Sequence, residues 1–167
     1  FDAASEVGGQ FNVAKRIPGK EEFYETLRYF ANELQQTGVD VRLNTRVTAE
    51  QLIAGGYDEV ILATGIVPRT PAIPGIEHAK VISYLDAILE RKPVGQKVAV
   101  IGAGGIGFDV SELITHQGES SSLDREAFWK EWGIDLGLNA RGGVAGVKPQ
   151  PHAAAREVYL LQRKKTK

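Results

Sequence analysis

The sequence contains no cysteine and no methionine. Without cysteine there is no disulfide framework, no thiolate zinc site and no iron–sulfur cluster ligated from within these residues. Cys-x-x-Cys dithiol chemistry is excluded with them. Charge of one sign is also lacking: 20 Lys and Arg against 21 Asp and Glu leave a formal charge of -1. No basic surplus marks a nucleic-acid or membrane partner. No apolar run approaches the ~20 residues of a membrane span, and no signal-like segment opens the chain. A cytoplasmic protein is the expectation. What is present is ordinary for a globular domain: 167 residues, 43% apolar and 25% charged, enough to bury a core unaided. Phe1 opens the sequence in what reads as the end of a strand, and Arg163-Lys164-Lys165-Thr166-Lys167 follows directly on another. Both edges are therefore expected to be cuts within a longer polypeptide.

Local patterning alternates helix and strand. Phe23, Leu27, Phe30 and Leu34 recur at helical spacing between Glu21 and Gln36, and Gly38 closes the run. Val39–Leu43 alternates as a strand that Arg46–Thr48 continues, and Val60–Ala63 reads as a short buried strand ending at Thr64-Gly65. Pro68, Pro71, Pro74 and Gly75 punctuate a linker, and Ser83–Arg91 reads as a short helix. Lys97–Ile101 is the clearest strand, followed by a glycine-rich turn and a helix over Phe108–Thr115. Glu157–Gln162 closes the pattern as a buried strand, and Ala153–Ala155 either restarts a helix or leads into it.

The turn carries the chemistry. Gly102-x-Gly104-x-x-Gly107 stands between an apolar strand and a helix, the context that a dinucleotide fingerprint requires. Gly102 permits the tight turn, Gly104 lets the backbone approach a pyrophosphate, and Gly107 lets the helix pack close to the strand. Gly105 and Ile106 complete the turn, which leads into a helix whose free N–H groups would face the phosphates. An NAD site places an acid about 20 residues beyond the glycines. Here the next strand ends in Gln162, Arg163 and Lys164, groups that would pair with a 2′-phosphate and so favour NADPH. Arg163 lies 56 positions beyond Gly107, so residues 116–152 are expected to be an insertion in the βαβ unit. It carries Trp129 and Trp132, three apart on one helical face, either packing the insertion down or meeting another domain.

Three further segments carry a resemblance. Asp2 precedes Ala3-Ala4-Ser5-Glu6-Val7-Gly8-Gly9-Gln10-Phe11, like the strand end and loop of an FAD-binding Rossmann unit. Ile61-Leu62-Ala63-Thr64-Gly65 is similar to the Ala-Thr-Gly strand end of two-dinucleotide flavoproteins, and Ile66–Pro71 and Pro93–Val98 bridge to a second nucleotide domain. With Ile17–Phe23, Ser83–Asp86, Glu131–Asp135 and Leu161–Lys164, these segments resemble the FAD- and NADPH-binding part of the bacterial NADPH-dependent 2,4-dienoyl-CoA reductases, Old Yellow Enzyme-like multidomain flavoproteins.

The resemblance covers essentially the whole chain. It implies an α/β fold in which a Rossmann-like, parallel-sheet NADPH-binding domain (97–167, with the insertion) is set into a partial FAD-binding domain (1–70), joined through 71–96. It implies FAD contact by Asp2, Gln10, Lys20 and Val47, with Gly9 and the small residues Ala63, Thr64 and Gly65 passing close to the flavin nucleotide. Arg163 and Lys164 would hold the NADPH phosphate. FMN, an iron–sulfur cluster and the acyl-CoA pocket would belong to a flavin barrel domain outside these residues, so catalysis by this segment alone is not expected. The alternatives are the same architecture with another substrate, such as a 2-enoate reductase or amine dehydrogenase, or a nucleotide-binding module without chemistry. His78, His116 and His152 are too scattered for a metal site, and Ser111 has no histidine in catalytic register.

Overall fold

One parallel strand pair and the helix between its members organise the part of the molecule that matters for function. The computed structural model describes all residues except 138, 140, 144, 145, 147 and 164–167. In chain order the elements are α1 (Phe11–Ala14), α2 (Glu22–Gln36), α3 (Ala49–Ala54), α4 (Tyr84–Ile88), β1 (Lys97–Ile101), α5 (Gly105–Thr115), α6 (Arg125–Trp132) and β2 (Glu157–Leu161). The chain divides into two compact units. One comprises Phe1–Ala14 and Phe23–Val81, the other Lys15–Glu22 and Ile82–Lys167.

In the second unit β1 and β2 pair in parallel, from Lys97 opposite Glu157 to Ile101 opposite Leu161. Side chains alternate across a strand, so one face carries Val98, Val100, Val158 and Leu160 and the other Ala99, Ile101, Tyr159 and Leu161. The first face is half-buried beneath α5; the second is exposed. Parallel strands need a long crossover, and α5 opens this one. Its buried side chains, Val110 and Ile114, sit one turn apart and form the core with Ile88 and Ala87 of α4 and Ile17. Removing each large aliphatic from water contributes about 1.5–3 kcal/mol.

The expected insertion is a closed excursion. The chain leaves α5 at Thr115, and the Ala155 N–H donates to the Thr115 carbonyl at 2.8 Å on its return. Within the excursion Asp124 caps α6, accepting from Glu126 N (2.9 Å) and Ala127 N (3.0 Å). Gly133 ends α6 at φ +67°. The returning Gln150 N–H donates to the Lys130 and Glu131 carbonyls at 3.3 and 3.0 Å. Trp129 is half-buried with the Arg125 guanidinium 4.8 Å from its ring centroid, whereas Trp132 is exposed and tilted against Phe128. Ala153–Ala155 is irregular and leads into β2.

The first unit is helical among the described residues. Leu27 and Leu34 of α2 are half-buried as the periodicity predicts, but Phe30 is exposed and meets the Tyr29 ring edge to face. The loop before α1 lies on α2 at Gly8, where an added Cβ would stand 2.4 Å from Leu27 Cδ2. Two strand expectations are overturned. Val60–Ala63 is irregular, unpaired among the described residues and open, Ile61 and Leu62 being 89% and 81% exposed. Val39–Leu43 with Arg46–Thr48 is likewise not a strand. Three backbone hydrogen bonds among the described residues tie this region to the N-terminal residues: Asp2 N to Arg42 O, Asn44 N to Ala4 O, and Thr45 N to Asp2 O. A strand exists through repeated exchange of backbone hydrogen bonds with a neighbour, and neither segment has one among the described residues. Two helices that the apolar pattern missed, α1 and α3, are short. The second is set by a capping box in which the Gln51 N–H donates to Thr48 Oγ1 and the Thr48 N–H to Gln51 Oε1.

Candidate pyridine-nucleotide site

The glycine fingerprint lies at the carboxyl end of the two-stranded sheet. The ladder runs one residue past β1, because the Gly102 N–H donates to the Leu161 carbonyl at 2.9 Å. Gly102 then turns at φ +118°, a conformation that side chains with a Cβ rarely adopt. The chain enters α5 at Gly105, three residues earlier than the apolar pattern suggested, because Gly105, Ile106 and Gly107 form its first turn.

The three signature glycines meet different surroundings. A Cβ on Gly107 would lie 1.8 Å from the Gly102 carbonyl oxygen and 3.4 Å from Leu160 Cδ1, so this glycine sets how tightly α5 seats on the turn and on β2. A Cβ on Gly104 would meet nothing within 4 Å. It would project into open space, which a ligand could occupy only if the Cβ were absent. Gly104 is also the N-cap residue of α5, and no side chain caps the helix there. The first N–H groups of an α-helix have no partner inside it; with the positive end of the helix dipole they form an anion site. The residues present therefore fit the pyrophosphate of a pyridine dinucleotide.

Arg163 stands close by in the topology. β1 and β2 run in register, so the residues following Leu161 emerge beside the Gly102 turn at the same sheet end. Arg163 is exposed, without an ion pair among the described residues; Lys164 lies outside them.

The residues expected to touch flavin belong to both units. Asp2 is exposed, and its carboxylate accepts from the Ala4 N–H at 2.8 Å. Gly9 (φ +49°) and Gln10 precede α1, and Val47 is half-buried before α3. Ala63, Thr64 and Gly65 lie on the open, unpaired segment. All of these residues belong to the first unit. Lys20 belongs to the second unit, where its ammonium meets both carboxylate oxygens of Asp109 on α5 at 2.7 Å. Beside it the Gly19 N–H donates to Ser120 Oγ at 3.3 Å and Ser122 Oγ donates to Glu21 at 2.6 Å. Burial works to raise the Glu21 carboxyl, but the hydroxyls of Ser122 and Ser120 and nearby backbone N–H groups together hold it below its ordinary value.

Fold and site thus define a class: an α/β unit with a two-stranded parallel sheet and a glycine-rich βα turn. A family model for pyridine nucleotide-disulphide oxidoreductases matches residues 7–163, and the chain belongs to that family. Membership implies binding of FAD and NAD(P)H. Among curated proteins, a metal reductase of Desulforamulus reducens is 32% identical over 75% of this chain and 19% of its own length. A bilirubin reductase of Mediterraneibacter gnavus is 38% identical over 71% of this chain and 18% of its own. A cinnamate reductase of Clostridium sporogenes is 36% identical over 64% and 16%. The chain thus spans less than a fifth of these relatives. A solved structure of 2-naphthoyl-CoA reductase with 2-naphthoyl-CoA has the same fold across 95% of this chain and 28% of its own (TM-score 0.63, 21% identity). No helix among the described residues is long and apolar enough to cross a membrane.

Sequence reasoning missed Arg156, whose guanidinium donates to the Ile114 carbonyl at the end of α5 at 2.9 Å. A single arginine in an irregular segment gives no periodic signal.

Proposed function

We propose that this chain supplies the NADPH-binding unit and part of the FAD-binding surface of a multidomain flavoprotein oxidoreductase that reduces an unsaturated acyl-CoA. The observation that carries the reading is one sheet end bearing both an uncapped, glycine-lined helix N-terminus and, in register beside it, a strand that continues into Arg163. When bound, NADPH would supply a hydride that FAD would accept; the chemistry is the cofactors' own. The chain's part is to bind and orient. Gly102 and Gly104 give the pyrophosphate access, Gly105, Ile106 and Gly107 present N–H groups, and Arg163 with Lys164 pairs with the 2′-phosphate.

Residues 1–70 serve flavin, 71–96 connect, and 97–167 bind NADPH. Asp2, Gly9, Gln10, Lys20, Val47, Ala63, Thr64 and Gly65 are the flavin-facing candidates, on family resemblance. An acyl-CoA substrate is supported by the same resemblance and by the fold shared with a reductase of an aromatic acyl-CoA; its pocket, with FMN and an iron–sulfur cluster, belongs to a barrel domain beyond these residues. The relatives named for metal, bilirubin and cinnamate reduction favour a second reading, the same architecture serving another acceptor.

The nucleotide assignment is tested by Arg163→Ala combined with Lys164→Ala. Charge-assisted hydrogen bonds contribute about 1.5–3 kcal/mol each, so the preference for NADPH over NADH should fall by about tenfold or more. Unchanged selectivity in the folded double variant would refute the assignment.

A further inference from the structure

The start of β2 is bolted to the fingerprint unit at three points. The Ala155 N–H donates to Thr115 O at 2.8 Å, the Glu157 N–H donates to Gln96 O at 2.9 Å, and Arg156 Nη1 donates to Ile114 O at 2.9 Å. The last of these is a cation on a terminal carbonyl of an 11-residue helix. Such carbonyls have no partner inside the helix, and the negative end of the dipole favours a positive charge there. Arg156 is half-buried, and its Nε is shielded from solvent with no partner among the described residues. The side chain is thus held in the packing rather than solvated.

These bolts answer a question that the connection itself leaves open. The excursion from Thr115 to Ala155 cannot set strand register through its length, because each doubling of a loop changes its closure cost by only about 0.6 kcal/mol. Alternation of side chains excludes a slip of one residue but tolerates a slip of two, which returns each face to its side. The Lys97–Glu157 ion pair at the strand start is 3.5 Å long, with side chains 69% and 57% exposed, and an open pair of this kind holds little. Yet a two-residue slip would carry Arg163 about 6.6 Å along the strand, beyond the reach of any hydrogen bond that it makes in register.

We propose that Arg156 is a positioning residue for nucleotide selectivity. By fixing the residue before β2 to the end of α5 it sets the β1–β2 register, and the register stands Arg163 beside the glycine turn. The inference rests on the reading of Arg163 as the partner of the 2′-phosphate.

The test is calorimetric titration of the full chain with NADPH and NADH at constant ionic strength. The wild-type chain should favour NADPH by about tenfold or more. In Arg156→Ala the ratio should collapse to within about twofold through loss of NADPH affinity, while NADH, held by the glycine turn, binds as before. Arg156→Lys, which keeps a cation at the helix end, should recover part of the ratio. A Gly-Ser extension between Gly142 and Gly143 should leave the ratio unchanged, since the bolt and not the excursion sets the register. A folded Arg156→Ala protein with the wild-type ratio overturns the proposal. So does a ratio that shifts with the Gly-Ser extension, an arm that decides even where Arg156→Ala fails to fold. A wild-type chain with no preference refutes the reading of Arg163 itself, and is distinguished from both because it appears before any substitution.

Discussion

Replacing Gly107 and Gly104 separately by alanine should separate the two jobs of the fingerprint. At Gly107 the new Cβ would stand 1.8 Å from the Gly102 carbonyl oxygen and 2.9 Å from its carbon. Contacts below 3.0 Å are essentially never seen for real Cβ atoms. The oxygen and the helix must therefore separate by at least 1.2 Å, the difference between those two oxygen distances. The obstacle is backbone, so no side-chain rotation relieves it, and overpacking of this kind costs about 1–3 kcal/mol. The helix propensity of alanine returns at most about 1 kcal/mol. A clash of 1.8 Å with backbone belongs at the upper end of that range, so Gly107→Ala should lower stability by about 2 kcal/mol (about 3 less about 1), and a melting midpoint by about 2–4 °C for each of them. At Gly104 the backbone is ordinary (φ -93°) and a Cβ has open space. Gly104→Ala should melt like wild type but lose affinity for NADPH by about tenfold or more if the pyrophosphate lies there. Thermal unfolding by circular dichroism and nucleotide titration of both variants give the comparison. A Gly107→Ala protein as stable as wild type, or a Gly104→Ala protein with undiminished affinity, would refute the reasoning.

Other expectations concern the surroundings of the site. Asp109→Asn removes the partner of Lys20, an ion pair with side chains 38% and 29% exposed. The coupling in a double-mutant cycle with Lys20→Gln should be about 0.5–1 kcal/mol at low salt and shrink as salt is added. The depressed Glu21 carboxyl contributes stability that is fully present above its unfolded value near 4.5 and is lost as pH falls through the lower folded value. Ser122→Ala removes a donor to that carboxylate, so its titration followed by carbon NMR should move upward, and the acid-dependent loss of stability should be smaller. Thr48→Ala breaks the capping box of α3, at a cost of about 1 kcal/mol. Amide hydrogen exchange should accelerate through Ala49–Ala54.

How much of this was legible in the residues depends on the range of the interaction that decides each element. β1, α5 and β2 were readable because their cues are local: a run of valine and isoleucine, then glycines at fixed spacing, then a second apolar run. The amphipathic α2 was readable for the same reason, ending near Gly38, which turns at φ +71°. Val39–Leu43 and Val60–Ala63 have strand-like composition, but a strand is a property of a pair, and composition does not supply the neighbour. The onset of α5 is hidden in the sequence because glycine is a poor helix former on average. At Gly107 close packing against Gly102 outweighs that cost. The Thr48-x-x-Gln51 capping box is a local cue, but α3 carries no apolar periodicity beside it. The closure of the excursion at Thr115 and Ala155, and the reach of Arg156 to Ile114 across 42 positions, are contacts that no local pattern announces.

The measurement that tests the central claim most directly is calorimetric titration of the purified chain with NADPH, NADP and NADH in parallel at low ionic strength. A dinucleotide site at the Gly102–Gly107 turn with Arg163 beside it predicts saturable binding, tighter for the two phosphorylated forms. Absence of binding by the folded chain, or equal affinity for NADH, would contradict it.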